Sequence, residues 1–159
     1  METVTPYMRW VKTQTDVLLP LLRHIRAELG EEQGNALVYP VLREYMKKWV
    51  AGYASNESDD PVENFYDTSD RLDKTFEGDV DYDLLRQDDK TYDLNVTRCR
   101  YAQFFRQLGE PELGAILVCE VDDHIAELSA PEVTLTRATT MMQGGSHCPF
   151  RYRIDKPSG

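Results

Sequence analysis

The apolar residues of this sequence change their spacing part-way along the chain. Up to about residue 53 they recur every three to four positions, as on one face of an amphipathic helix. From about residue 80, several segments alternate apolar and polar positions, which is typical of half-buried strands. The sequence therefore predicts an α+β fold. An N-terminal helical hairpin precedes a mostly antiparallel sheet of about four strands, with helices packed on one face.

Two long helices are predicted over residues 8–29 and 31–53, because Gly30 interrupts the helical spacing. Pro20 predicts either a kink in the first helix or a helix that begins near Thr15. A polar loop is expected at 54–60, and then a short helix at 61–76 whose acidic residues face solvent. The residues expected to share one broad face of the second helix are Ala36, Leu37, Val41, Leu42, Tyr45, Met46, Trp49 and Val50.

The second half of the chain is predicted to mix strands and helices. Alternating residues on both sides of the turn-like segment 87–90 indicate a β-hairpin. Helices are expected at 101–108 and 112–128. Two strands, 132–143 and 147–154, are then expected to pair around Gly144 and Gly145, which permit a tight turn.

A chain of 159 residues with 41% hydrophobic content predicts one domain over 1–159, with a helical half at 8–76 and a mixed half at 78–155. The formal charge of −10 argues against nucleic acid as a partner. No apolar run approaches the roughly 20 residues of a membrane helix, so no membrane partner and a cytoplasmic location are predicted. Three widely spaced cysteines indicate reduced thiols. The expected partner is a small-molecule substrate, and a homo-oligomer is left open.

The phase of the last two predicted strands turns several reactive side chains the same way. Arg137 shares strand parity with apolar neighbours, so its guanidinium is expected to face inward and to need a partner. Folding the hairpin about its glycines places Met141 opposite Cys148, and Arg137 opposite Tyr152. This pocket would hold a thiol, a phenol and a cation. Arg137 would bind either a structural carboxylate or the carboxylate of a substrate, and Cys148 is otherwise a small buried apolar residue.

The helix predicted at 112–128 has two stripes of apolar or small residues, so it is expected to be covered on two sides. Carboxylates that become partly buried beside it can have a raised pKa and act as a general acid or base. The alternative is a solvated acidic turn. The main stripe is Leu113, Leu117, Val121, Ile125 and Leu128, the second is Ala115, Ile116, Cys119, Asp123 and Ala126, and the polar candidates are Glu120, Asp122, Asp123 and His124.

A metal site is a further alternative, because thiol and imidazole groups are good ligands for transition metals. The candidate ligands are Cys119, Cys148 and His147, with Cys99 and the nearby acids beside them. Their spacing matches no Cys-x-x-Cys motif. The sequence therefore requires no cofactor and leaves a bound divalent metal open.

Four segments of the C-terminal part carry a family resemblance. They are the stretch from Cys99 to Gly109, the segment Leu-Val-Cys119-Glu-Val-Asp122-Asp123, the segment Leu-Thr-Arg137-Ala-Thr-Thr140, and the ending Gly144-Gly-Ser-His-Cys148-Pro-Phe-Arg151-Tyr. Together they resemble the L-2-aminothiazoline-4-carboxylate hydrolase family over about 60 residues, and the helical half matches only in general layout. The resemblance implies hydrolytic opening of a cyclic isothiourea, in which water adds to the amidine carbon and a carbon–heteroatom bond breaks.

That chemistry suggests roles for residues in the matching segments. Arg137 is expected to hold the substrate carboxylate, and either Asp122 or Asp123 is expected to steer or activate water. Cys148 or Cys99 is expected to act as a nucleophile or ligand. Attack by a thiol would need a lowered pKa, which neighbouring arginines could supply. The residues expected to orient or bind the rest of the substrate are Thr139, Thr140, Tyr101, Tyr152 and Arg151.

Two other functions stay open. The commoner Cys-Asp-Phe ending of the family reads Cys148-Pro149-Phe150 here, so the chain is alternatively a biosynthetic enzyme that acts on a different nitrogen heterocycle. A more distant likeness to vinyl-reductase-associated small-molecule-binding domains implies a non-catalytic sensor or carrier that binds a small molecule or a metal.

Overall fold

Two long helices joined by one residue begin the chain, and a four-stranded antiparallel sheet with further helices follows. This architecture, seen in a computed structural model that describes residues 3–156, confirms the predicted α+β fold. The elements in chain order are α1 (Pro6–Leu29), α2 (Glu31–Tyr53), α3 (Pro61–Phe76), β1 (Val80–Gln87), β2 (Thr91–Cys99), α4 (Arg100–Gln107), α5 (Pro111–Gly114), a π-helical turn (Ala115–Cys119), α6 (Glu120–Leu128), β3 (Val133–Thr136) and β4 (Cys148–Ile154).

The ends of α1 follow from local chemistry. The Thr5 hydroxyl caps the first turn by accepting a hydrogen bond from the Met8 amide. Gly30 ends the helix with φ of 87°, a conformation that favours glycine. Because α1 continues through Pro20, the alternative in which the helix begins near Thr15 is wrong.

The buried face of α2 differs from the predicted one. Tyr39, Met46 and Val50 enter the core, whereas the side chains of Leu37, Val41 and Tyr45 are exposed. Apolar residues occupy so much of the circumference of α2 that their spacing alone does not tell which side faces the core.

The sheet has the strand order β1-β2-β4-β3, and each neighbouring pair is antiparallel. Its inner face carries apolar side chains, and helices pack on that face. The outer face carries mainly polar side chains. The predicted phase of the last strand is confirmed, since Cys148, Phe150, Tyr152 and Ile154 are all buried.

The predicted pairing of 132–143 with 147–154 is wrong in length and register. β3 ends at Thr136, and Leu135 rather than Arg137 lies opposite Tyr152. The amides of Gln143 and Gly145 bond to the side chain and carbonyl oxygen of Thr140, at 3.2 and 2.9 Å. Because Thr140 satisfies these amides locally, the segment forms a turn and not a strand ladder.

The segment from α5 to α6 runs as a single helix through the π-helical turn. As predicted, it is covered on two sides: the stripe from Leu113 to Ile125 is buried, and so is Ile116 of the other stripe. Leu128 is exposed, contrary to the prediction, because it lies at the last turn beyond the core. Within residues 3–156, no helix is long and apolar enough to cross a membrane.

Candidate active site

A cavity of about 130 Å³ lies between the inner face of the sheet and the helices that cover it. We call it the inner cavity. Strands β1, β2 and β4 line one side, and α3, the π-helical turn and α6 line the other. Its lining residues are Ser69, Leu72, Asp73, Phe76, Val80, Tyr82, Tyr92, Leu94, Val96, Cys99, Val118, Cys119, Asp122, Ile125, Arg137, Thr140, Cys148, Phe150 and Tyr152.

Many of the residues singled out from the sequence meet in the inner cavity, although they come from five different parts of the fold. β2 ends with Cys99, the π-helical turn ends with Cys119, and α6 supplies Asp122. The segment after β3 supplies Arg137 and Thr140, and β4 supplies Cys148 and Tyr152. The pocket predicted from strand phase, with a thiol, a phenol and a cation, is therefore present.

Arg137 faces inward, as its strand parity predicts, and only 9% of its side chain is exposed. Its Nη2 donates to Asp123 Oδ2 at 2.8 Å and to the carbonyl oxygen of Cys119 at 3.2 Å. Its Nη1 lies 3.6 Å from Asp122 Oδ2. The guanidinium carbon also lies 4.9 Å from the centroid of the Phe150 ring. The guanidinium is thus held between two carboxylates and an aromatic face.

The Asp122 carboxyl group has an unusual environment. Burial raises its pKa from 3.8 to about 7, although the nearby charge of Arg137 acts in the opposite direction. The neighbouring charge of Asp123 adds to the increase. Asp122 therefore exchanges a proton near neutral pH, as a general acid or base requires.

The three cysteine thiols line the same cavity, but their pKa values oppose the prediction. Burial raises the pKa of Cys99 to about 11, and it also raises the pKa of Cys119 and of Cys148. Arg137 lowers the pKa of Cys119 and Cys148, but burial outweighs this effect. The expected activation of a thiol by neighbouring arginines is therefore wrong for this conformation, in which all three thiols are protonated near neutral pH.

The candidate metal ligands do not come together. Cys119 and Cys148 line the inner cavity, but His147 does not, and its Nδ1 lies 2.9 Å from the Ser146 hydroxyl. Across residues 3–156, no group of three or more His, Cys, Asp or Glu side chains is arranged to hold a metal ion.

Three of the predicted substrate-binding residues lie away from the inner cavity. Tyr101 is fully buried in the core, where its hydroxyl donates to Asp79 Oδ2 at 2.6 Å. Arg151 lies on the outer face of the sheet and donates to the carbonyl oxygen of Leu94 and to Asn95 Oδ1. Thr139 packs against Gly145, where an added Cβ would lie 2.7 Å from its hydroxyl oxygen.

The structure adds polar residues that the sequence did not suggest. Asp73 of α3 lines the inner cavity and accepts a hydrogen bond of 2.8 Å from the hydroxyl of Tyr82 on β1. Burial raises the pKa of Asp73. The acidic residues of α3 were expected to form a solvated face, and Asp73 is indeed exposed, although it also lines the cavity. Its position one residue after the buried Leu72 was the only local hint.

A second cavity adjoins the first beside Arg137, and we call it the outer cavity. Cys119, Arg137 and Thr140 line both cavities. Asp123 lines only the outer cavity, and 43% of its side chain is exposed. Arg137 therefore borders both cavities, with Asp122 lining the inner one and Asp123 lining the outer one.

A comparison with protein families gives a match. The model of the family described as L-2-amino-thiazoline-4-carboxylic acid hydrolase matches residues 10–152. The similarity therefore includes the helical hairpin and is not confined to the C-terminal 60 residues. No curated protein compared with the chain matches it.

Proposed function

This chain belongs to the L-2-amino-thiazoline-4-carboxylic acid hydrolase family, and we propose that it hydrolyses a small cyclic isothiourea carboxylate of that kind in the inner cavity. The observation that carries this proposal is the placement of Arg137 beside Asp122 at a buried cavity. Arg137 can bind a substrate carboxylate while Asp122 exchanges protons at the ring.

The size of the inner cavity suits a single ring. A cavity of about 150 Å³ in another protein holds benzene, and the inner cavity measures about 130 Å³. Its walls include aromatic and aliphatic side chains, such as Phe150 and Tyr152, which can pack against the faces of a flat ring. An aminothiazoline carboxylate fits this description better than a polymer or a large cofactor does.

Arg137 is proposed to bind the carboxylate. It is the only basic side chain among the described residues that line the inner cavity. A guanidinium has five N–H donors in a planar fork, which suits a carboxylate. Its separation of 3.6 Å from Asp122 is too long for a strong hydrogen bond, so Nη1 retains donor capacity toward the cavity.

Asp122 is proposed to act as the general base and then as the general acid. With a pKa of about 7, it can accept a proton from water as the water oxygen bonds to the amidine carbon. The carbon–sulfur bond then breaks, and Asp122 returns a proton to the departing sulfur. The water oxygen becomes the carbonyl oxygen of a carbamoyl product, one water proton ends on the former ring nitrogen, and the other ends on the sulfur.

The cysteines are proposed to act as neutral wall residues. Cys148 is the best-placed alternative nucleophile, because its sulfur already accepts a 3.1 Å hydrogen bond from the Met141 amide. A thiolate would nevertheless need to form against the raised pKa of this thiol. Attack by water assisted by Asp122 avoids that cost.

The test is a turnover assay of the full chain with L-2-amino-thiazoline-4-carboxylate. Hydrolysis is expected to add the mass of one water and to release one free thiol per product. Asp122→Asn is expected to lose turnover, whereas the exposed control Asp67→Asn keeps it. Cys148→Ala is expected to remain active, and its complete inactivity in a folded protein would favour thiol attack.

Binding without turnover by the wild-type protein would contradict hydrolysis and favour a sensor or carrier. Turnover of a different nitrogen heterocycle, with none of this substrate, would instead favour a biosynthetic role. Mass spectrometry of the reaction, together with calorimetric measurement of binding, distinguishes these outcomes.

A further inference from the structure

Besides Leu29 at the end of α1, five large apolar side chains are exposed on the α1–α2 hairpin, and none of them lines the inner cavity. Between 47% and 67% of each residue is accessible to solvent. Val17 and Leu21 lie on α1, and Leu37, Val41 and Tyr45 lie on α2. Contiguous apolar surface of this kind on a globular protein marks an interaction site more often than chance exposure does.

The five residues form one stripe on each helix. The stripe residues within each helix are four positions apart, so they stack along the same helical face. The residues that enter the core from the same helices, such as Leu19 and Met46, occupy other faces. The helices are neighbours, as the stacking of Trp10 on Trp49 at 5.6 Å shows. The two stripes therefore run side by side on the outer surface of the hairpin, which we call the hairpin face.

The hairpin face is large enough for a stable protein interface. At 1.5 Å per residue, a helix of 24 residues is about 36 Å long, and two helices side by side span roughly 20 Å. The whole outer side of the hairpin therefore measures roughly 700 Å², close to the ~800 Å² that each partner buries in a standard interface, and the two apolar stripes occupy its middle part.

The charges on the hairpin are distributed unevenly along its length. The turn between the helices is acidic, with Glu28, Glu31 and Glu32 exposed. The opposite end is mainly basic: five cations (Arg9, Lys12, Arg43, Lys47 and Lys48) outnumber two carboxylates (Asp16 and Glu44), although Lys12 packs over the ring of Phe104. Arg43 pairs with Glu120 of α6 at 3.0 Å, but the other two ion pairs at this end are long and exposed, since Lys48 lies 3.8 Å from Glu44 and Lys47 lies 4.0 Å from Glu127 of α6. Such pairs compete weakly with a partner's charges.

This polarity selects one way to pair two copies face to face. A twofold axis parallel to the helices would place the two acidic turns together and the two basic ends together. A twofold axis across the helices inverts one copy, so that each acidic turn lies over the basic end of its partner. Only the second arrangement buries both apolar stripes and matches opposite charges.

We propose that the hairpin face is the interface of a homodimer in which two hairpins pack antiparallel as a four-helix bundle. The proposal is independent of the hydrolase chemistry, because none of its residues lines the inner cavity. The partner is a second copy of this chain, because the face carries apolar side chains along its middle and opposite net charges at its two ends. Two copies in inverted orientation therefore match each other in both respects.

The first test measures mass in solution by light scattering and sedimentation across a range of concentrations. The wild-type chain is expected to be a dimer, and Val41→Glu is expected to weaken its dissociation constant about a hundredfold, because each dimer would bury two unpaired charges. Leu85→Glu on β1 is the matched control at another exposed apolar residue, and it is expected to remain a dimer. A monomeric wild type, or a dimer that only the control breaks, would overturn the proposal.

The second test reverses charges. Glu28→Lys with Glu31→Lys is expected to weaken the dimer roughly tenfold at low salt, and Arg9→Glu with Lys48→Glu is expected to do the same. Combining all four substitutions restores opposite charges at each contact, so affinity should return to within about threefold of the wild-type value. No recovery in the combined variant would contradict the antiparallel arrangement. Circular dichroism confirms that each variant is folded, and turnover per chain by Val41→Glu is expected to be unchanged.

Discussion

Nη1 of Arg137 lies 3.6 Å from Oδ2 of Asp122, beside a cavity about the size of one small ring. The pair is close enough for the cation to oppose the effect of burial on the carboxyl pKa, and it is too far apart for a strong hydrogen bond. Arg137 therefore retains donors for a ligand, and Asp122 retains a proton affinity suited to chemistry near neutral pH.

Replacing Arg137 by Lys is expected to impair substrate binding more than proton transfer. The ammonium keeps the positive charge but loses the planar fork that fits a carboxylate. Because a hydrogen bond to a charged group contributes about 1.5–3 kcal/mol, kcat/KM should fall roughly 10- to 100-fold, mainly through KM. The measurement is steady-state kinetics. An unchanged KM would remove Arg137 from carboxylate binding.

Asp123→Asn is expected to shift the pH dependence of the reaction. Asp123 shares the Arg137 guanidinium with Asp122, and its negative charge raises the Asp122 pKa. Without that charge, Arg137 interacts with a single carboxylate, that of Asp122, and the ionised form of Asp122 is easier to form. The pKa of Asp122 should therefore fall, and the midpoint of the pH–rate profile should move to lower pH. Glu127→Gln is the control, since this exposed residue of α6 does not contact Arg137. A profile that moves to higher pH would contradict this arrangement.

The raised pKa of Asp122 should make the free energy of unfolding depend on pH. Its pKa is about 7 in the folded protein, against an ordinary value of 3.8. Between these values the folded protein binds the proton more strongly than the unfolded chain, so this group's contribution to the free energy of unfolding falls as the pH rises from about 4 to 7. At 1.36 kcal/mol per pKa unit, the loss is about 1–4 kcal/mol.

Urea denaturation at pH 5 and at pH 8 measures this effect. Asp122→Asn should be stabilised relative to the wild type at pH 8 more than at pH 5, because the amide carries no charge to bury. Asp67→Asn, at an exposed position of α3, should show no such difference. An equal effect of Asp122→Asn at both pH values would argue against a raised pKa.

The packing around Gly114, the last residue of α5, gives a test of the fold itself. A Cβ added to Gly114 would lie 2.5 Å from Cγ of Phe105 and 2.7 Å from Sδ of Met142. Gly114→Ala should therefore destabilise the protein by about 1–3 kcal/mol. Gly52→Ala in α2, where nothing lies within 4 Å of the added Cβ, should instead stabilise it by about 0.5–1 kcal/mol. Thermal unfolding measures both changes, and equal shifts would show that Gly114 is not crowded.

Local patterns in the sequence predicted the elements of the fold and part of the candidate site. Strand parity alone turned Arg137, Cys148 and Tyr152 toward one pocket, because alternation along a strand is a short-range property. The two-stripe pattern of 112–128 placed Asp122 beside the core for the same reason.

The predictions failed where a backbone or side-chain group has a hydrogen-bond partner that the sequence pattern does not indicate. The side chain and carbonyl of Thr140 satisfy amides that a longer hairpin would have paired, so the register could not be read from the glycines. Tyr101 lies in the core because its hydroxyl donates a hydrogen bond to Asp79, which is 22 residues away in the sequence. Asp73 reaches the cavity only because α3 covers β1 and β2, a relationship that no local pattern contains.

The most direct test of the account is the pH dependence of kcat/KM for L-2-amino-thiazoline-4-carboxylate, measured for the wild type and for Asp122→Asn. The wild-type value should rise with pH through a midpoint near 7, because the ionised carboxylate accepts the proton of water. In the Asn variant this step should disappear and the rate should fall about 10²–10⁴-fold. An Asn variant that retained both the wild-type rate and the same midpoint would contradict a catalytic role for Asp122.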